Sequence, residues 1–363
     1  MQAKAVLITG GDGYLGKRLA KLYLERASQP VSLWIRARDQ EEFKRKGQQL
    51  CHELCETGAQ LRLYWGDLRA ERPFDTLNPE QIGTIIHTAA VTRFNVDRDT
   101  ATAVNVEGTR KLLEFADGCQ HLDQVALLST IYASGLTEGD ISEIPWDGKE
   151  GFSNFYEWSK WSSEQELIRN HGHLPWKILR IATIIADSED GHVTQQNAFH
   201  NTLKLIYYGL LSILPGKPET PLYLVTGEFA GNAVFELMCT KRAAKIYHIS
   251  HSRNESISLG MLIDLVFAIF EQEDDFKKRR ILKPLYSDGE SFQLLVDAVH
   301  QFAGDVVNQA VSSVAPFSKQ LYLNKEIQNN NLVSALNDYH APDPVALIQN
   351  SCRYLVQTRW GRK

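Results

Sequence analysis

The chain has 363 residues, 43% of them hydrophobic, and a formal net charge of −5. That length accommodates one large domain or two, with a core that needs no disulfides, and the mild acidity leaves no electrostatic footprint for nucleic acid. Its five cysteines, Cys51, Cys55, Cys119, Cys239 and Cys352, are odd in number and scattered, so they imply no disulfide framework and fit a reducing, cytoplasmic setting.

Met1–Gly10 enters a strand-like run at once and shows no signal-peptide pattern. Short β-rich runs then recur at Ala5–Thr9, Val31–Ile35, Leu61–Trp65, Thr84–Thr88, Gln124–Ser129 and Trp176–Ile181. Amphipathic stretches at Leu15–Arg26, Glu41–Glu56, Ala101–Ala116 and Asn154–Arg169 lie between them. Nearly continuous apolar strands alternating with helices predict an α/β fold of the Rossmann type, a parallel sheet wound on both faces. Cys51, His52 and Cys55 fall in one helical stretch with no second ligand pair, so no metal site is expected.

The rhythm breaks after Ala186. Asp187–Gln196 is polar and loop-like, Asn197–Tyr208 reads as a helix, and Leu214–Pro221 is rich in Pro and Gly. Lys245–Ile249 looks like one more strand, and from Ser256 the pattern is mostly helical. The most apolar stretch, Ile257–Phe270, contains Asp264 and is too short to span a bilayer. Glu271–Arg280, acidic then basic, predicts a solvated helix face paired at i,i+4, with a docking patch for an acidic carrier protein as the alternative. In Ser291–Val314, Phe292, Leu295, Val299, Phe302, Val306 and Ala310 recur at helical spacing. A helix packed on its own domain is the simplest reading; a homodimer seam or an acyl-chain wall are the others. The expected organisation is a dinucleotide-binding domain over 1–186, with 222–250 returning to it, and a smaller, mostly helical substrate domain from 187–221 and 251–363. Tyr207, Tyr208, Leu210, Leu211 and Ile213 would suit either an acyl pocket or an ordinary core.

Thr9-Gly10-Gly11-Asp12-Gly13-Tyr14-Leu15-Gly16 joins the first strand to the first helix. Gly10 permits a tight turn, Gly13 lets a pyrophosphate approach backbone N–H groups, and Gly16 lets helix and strand pack closely. The helix N-terminus then faces the phosphates. After the second strand come Arg36 and Arg38, where NAD binders usually carry an acid; arginine suits a 2′-phosphate, so NADP(H) is favoured over NAD. Asp12 argues the other way, since its carboxylate would repel a phosphate. Asp67 and Leu68 end the third strand and suit the adenine. Thr88, Ala89 and Ala90 end the fourth and let a cofactor cross close to the backbone. His87 reads as a structural hydrogen-bonder.

Tyr156 and Lys160 form a Y-x-x-x-K pair, one helical turn apart. An ammonium there would lower the phenol pKa and hold a nicotinamide ribose, while the phenol moves a proton at a substrate oxygen. Thr130, at the carboxyl end of the fifth strand, would orient that oxygen, with Ser129 as the alternative.

These motifs, with Asn105-Val106-Glu107-Gly108-Thr109, resemble the extended short-chain dehydrogenase/reductase family over roughly residues 4–185. Arg36-Ala37, Ala90–Asn95, Ser129–Tyr132, Tyr156–Trp161 with Glu164, and Ile184–Gly191 look most like its thioester reductase and fatty acyl-CoA reductase branch. The sequence departs from that branch at Arg180-Ile181 and at Leu224–Glu228. The resemblance implies catalysis by Thr130, Tyr156 and Lys160, and cofactor contacts that also include Asn105, Lys160, Ile181 and Ile184. The implied reaction is NADPH-driven reduction of an acyl thioester, on CoA or a carrier protein, to an aldehyde, or onward to an alcohol. Reduction of a simple ketone or aldehyde, or alcohol oxidation, is the alternative. A nucleotide-sugar epimerase or dehydratase, or a non-catalytic NADP-binding protein, stands further off.

Overall fold

The computed structural model describes residues 4–27, 29–54, 60–240, 245–302, 304, 308, 311–312 and 314–361. Cys55 and the helical positions Val306 and Ala310 lie outside them, as does the side chain of Phe302.

Seven strands form the central sheet: β1 (Ala5–Thr9), β2 (Val31–Arg36), β3 (Leu61–Gly66), β4 (Ile82–His87), β5 (Gln124–Thr130), β6 (Trp176–Ile181) and β7 (Ile246–Ile249). They run in the order β7-β6-β5-β4-β1-β2-β3, and every pairing is parallel. The strand order reverses between β1 and β4, which opens a crevice at their carboxyl ends. β1 is buried at all five positions, as a strand covered by helices on both faces must be. The helices of this unit are α1 (Tyr14–Arg26), α2 (Gln40–Leu54), α3 (Glu107–Asp117) and α4 (Phe155–Asn170). One apolar core joins β1 and β2 to α1 through Leu19, Tyr23, Val31 and Leu33. Another, on the opposite face, joins the sheet to α3 and α4 through Leu7, Ile85, Leu112 and Leu167.

The expected continuous helix over 101–116 is divided. A turn at Arg98–Ala101 passes into a π-helical turn over Thr102–Val106 before α3 begins. Such bulges re-aim side chains, and this one carries Asn105 inward. Asn154 starts α4 by accepting a hydrogen bond from the backbone N–H of Glu157.

Beyond Ile181 the chain builds a second core. Into it pack α5 (Ala198–Tyr207), α7 (Leu259–Phe270), α9 (Gly289–Phe302) and α10 (Pro344–Gln357). The helix between α5 and α7, α6 (Gly227–Cys239), instead joins the sheet core through Ala230, Val234 and Leu237. In the acidic–basic block, α8 (Asp274–Arg279) carries Lys277 and Lys278 at 3.8 and 3.7 Å from Asp274 and Asp275. Those pairs are spaced i,i+3, not the expected i,i+4. On α9, Phe292, Val296 and Val299 are buried in this second core, so the helix packs within the chain. Tyr207, Leu211 and Ile213 pack there as well, while Tyr208 and Leu210 are exposed; none of the five walls the cleft described below.

One return was not evident from the sequence. Lys325–Ile327 pairs in parallel with Gly139–Ile141, and Leu332 and Ala335 join the sheet core. Residues 325–339 therefore pack on the sheet unit rather than on the second core.

Candidate active site

A cleft of about 850 Å³ runs along the carboxyl ends of the strands, from Arg36 and Lys46 at one end to Tyr156 and Phe199 at the other. The glycine turn forms its floor. Gly10 has φ +67°, and a Cβ there would come within 2.9 Å of the Ala89 backbone. A Cβ on Gly16 would lie 2.1 Å from the Gly10 carbonyl oxygen. Side chains are excluded at both positions, which leaves room at the Gly10 turn for a ligand to approach the backbone. Of the expected cofactor residues, Gly10, Gly13, Tyr14, Leu15, Arg36, Asp67, Leu68, Thr88, Ala89, Ala90, Lys160, Ile181 and Ile184 line it.

Four do not. Arg38 points into solvent and pairs with Glu42 at 3.0 Å. Gly16 acts through packing alone. Thr9 is buried, its hydroxyl 2.7 Å from His87 Nδ1. Asn105 is buried behind the wall, accepting from the Val91 N–H at 2.8 Å and donating to the Val91 carbonyl and to Ser159. It holds the turn after β4. His87 bridges Thr9 and Thr109, and burial pulls its pKa down to about 3, so it is a neutral structural link.

Lys46, on α2, escaped the sequence reading. Its ammonium donates to Asp12 Oδ2 at 2.8 Å and to the Arg36 carbonyl at 2.7 Å, inside the cleft. Asp12 is thereby neutralised, and the objection its charge raised against a phosphate is removed. The available signal was Asp12 itself, an acid in a phosphate loop that calls for a cation nearby. Arg36 approaches Asp67 at 3.6 Å, still largely exposed.

At the opposite end, Thr130, Tyr156 and Lys160 converge on the cleft. Thr130 lies close enough to Tyr156 to oppose the effect of burial on its phenol, while its hydroxyl accepts from the Tyr132 N–H. Ser129 is committed elsewhere: its hydroxyl donates to Glu164, whose carboxylate pairs with fully buried Arg180 at 2.7 Å. Arg180 in turn donates to His248 Nε2 at 3.2 Å. This buried network fixes α4 against β5, β6 and β7, and it accounts for the arginine retained before Ile181.

Burial raises the Tyr156 phenol above its ordinary range, with Thr130 opposing. The expected lowering by Lys160 is not found, because that ammonium turns to the Leu128 carbonyl. Burial pulls Lys160 down to about 8, with the Glu164 carboxylate opposing. Near neutral pH the pair is therefore a protonated phenol beside an ammonium. No group of metal-ligating side chains is found among the described residues, and among them no helix is long and apolar enough to cross a membrane.

A seven-stranded parallel sheet, a glycine turn opening α1, and a tyrosine–lysine pair on α4 define an oxidoreductase of the extended short-chain dehydrogenase/reductase type. More particularly, residues 8–234 match the NAD-binding family described as male sterility protein, and the chain belongs to it. D-erythronate dehydrogenase of Cupriavidus necator is 26% identical over 234 residues, covering 61% of this chain and 68% of that protein. Chloroplastic fatty acyl-CoA reductase 2 of Arabidopsis thaliana is 28% identical over 167 residues, which is 40% of this chain but only 27% of the reductase. The solved terminal R domain of the myxalamid PKS-NRPS pathway superposes with a TM-score of 0.74 at 18% identity, covering 99% of this chain and 92% of that one. That structural likeness shows the fold.

Proposed function

We propose that the protein is an NADPH-dependent reductase of an acyl thioester, carried by CoA or a carrier protein, or of the derived aldehyde. The observation that carries this reading is the two-ended cleft, with cations beside the glycine turn and a half-buried phenol beside a buried hydroxyl and ammonium at the far end. The similarity to a fatty acyl-CoA reductase and to a synthetase R domain supports the thioester class.

The residues present fit a dinucleotide. The glycine positions have no room for a Cβ, and Arg36 and Lys46 offer positive charge where a 2′-phosphate would lie. When bound, NADPH would supply the hydride. Gly10, Gly13 and the first turn of α1 would hold the pyrophosphate; Asp67 and Leu68 would hold the adenine. Lys160, freed from the Leu128 carbonyl, would hold the ribose. Thr130 donates a hydrogen bond to the substrate carbonyl oxygen and polarises it. Tyr156, kept protonated by burial, gives its proton to that oxygen as negative charge develops. The second core, built from 185–224, 257–321 and 345–360, would hold the rest of the substrate.

Oxidation of a small hydroxy acid is the second reading, favoured by the match to D-erythronate dehydrogenase over 61% of the chain. Absorbance assays separate the two. The thioester reading expects NADPH consumption with acyl-CoA; reduction of NADP or NAD by hydroxy acids, with acyl-CoA inert, would replace it.

A further inference from the structure

Beside the phenol, Phe94 packs edge-on to Tyr156 with centroids 5.6 Å apart. Phe317 stacks on Phe94 at 5.0 Å and meets Tyr132 edge-on at 5.2 Å. On the far side of Phe317 and Tyr132 lies a separate cavity of about 20 Å³, whose walls include Leu222, Leu321 and Ile327. Gln320 and Lys325 also line it. Phe317 and Tyr132 thus stand between the reaction centre and an enclosed, mostly apolar space.

The two rings are held differently. The Tyr132 hydroxyl hydrogen-bonds Thr183 at 3.0 Å, and its backbone N–H donates to Thr130. Phe317 has no polar anchor of its own side chain and sits half-buried on the short Ala315–Tyr322 segment. Tyr132 lines both spaces, Phe94 the cleft and Phe317 the small cavity, so displacing the Phe317 ring opens the small cavity toward Phe94 and the cleft. The joined space would end at polar groups. Gln320 is 5% exposed, and its Oε1 has no hydrogen-bond partner; Lys325 is buried beside it, donating to Ser134. An apolar chain entering past Phe317 would stop there, because covering those groups with hydrocarbon is unfavourable.

We propose that Phe317 is a specificity-determining residue, a gate to a short blind channel that receives the apolar chain attached to the reacting carbonyl and limits its length. This rests on the carbonyl-reductase reading above and deepens it. The small cavity holds about one water-sized group, so the room gained comes mainly from the volume the Phe317 ring vacates, and each methylene admitted there is worth roughly tenfold or more in an apolar pocket.

The test measures kcat/KM for straight-chain acyl-CoA thioesters and the matching free aldehydes, from short to long, with wild type, Phe317→Ala, Phe317→Leu and Phe317→Trp. The alanine variant is expected to favour longer chains by roughly tenfold relative to wild type, leucine less so, and tryptophan to favour shorter ones. Leucine guards against an alanine variant that fails to fold. A uniform change at every chain length overturns the gate. If thioesters are inert but aldehydes show the shift, the gate stands and only the thioester reading falls. Turnover of neither series by wild type overturns both.

Discussion

Replacing Lys46 by methionine isolates the charge that, on the proposed reading, favours a 2′-phosphate in the cleft. The ammonium lies 2.8 Å from Asp12, with 24% and 26% of the two side chains exposed. At that distance the gross attraction is about 6 kcal/mol at an effective dielectric of 20. Desolvation and partial exposure leave a net contribution of only about 1 kcal/mol. A phosphate loses more, because a hydrogen bond between two charged groups is worth about 1.5–3 kcal/mol. NADPH binding should therefore weaken roughly 10–100-fold, while NADH changes little. Adding Asp12→Asn to the variant should recover about 1 kcal/mol of NADPH affinity by removing the stranded carboxylate. Quenching of tryptophan fluorescence is a suitable assay, since Trp34 lines the cleft. Equal weakening of both cofactors, or of neither, would refute the reasoning.

Two further outcomes follow from the buried groups. Because burial holds Lys160 at about 8 and raises Tyr156 out of range, kcat/KM should fall as pH rises through about 8, on loss of the ammonium rather than of the phenolic proton. Stability moves the opposite way: between pH 8 and the ordinary lysine value of 10.5, the unfolded chain keeps a proton that the folded one has released, so Lys160 makes the folded state more stable as pH rises. Paired pH profiles of activity and urea unfolding check both signs. Glu164→Ala strands Arg180 in the interior and should cost about 3–5 kcal/mol in urea unfolding. Ser129→Ala removes only one hydrogen bond, to the Glu164 carboxylate, and should cost about 1.5–3 kcal/mol.

Much of the sheet unit was legible in the sequence because its signals are local. Doubly covered strands are apolar almost throughout, as β1 is from Ala5 to Ile8, and a glycine turn between strand and helix has few substitutes. The Tyr156–Lys160 spacing needed only helical geometry. The misses were long-range. Lys46 belongs to an ordinary amphipathic helix, and only the folded chain brings it over Asp12, 34 positions earlier. Arg38 has the right sequence position, but it lies just before α2 and pairs with Glu42 on that helix, in solvent. Asn105 carries a motif signature, yet the π-helical turn directs it behind the cleft wall. The return of 325–339 rests on pairing with Gly139–Ile141, three residues long and without a sequence pattern of its own. Local burial also reversed the expectation for the phenol: a lysine four residues away lowers a pKa only if its charge faces the hydroxyl, and here it faces Leu128.

The central claim is that Tyr156 supplies the proton while the rest of the cleft holds cofactor and substrate. Tyr156→Phe tests it in one single-turnover measurement of NADPH oxidation, alongside NADPH affinity. The account predicts a rate lower by roughly 10²–10⁴-fold, with NADPH affinity unchanged. A variant that keeps the wild-type rate would contradict it.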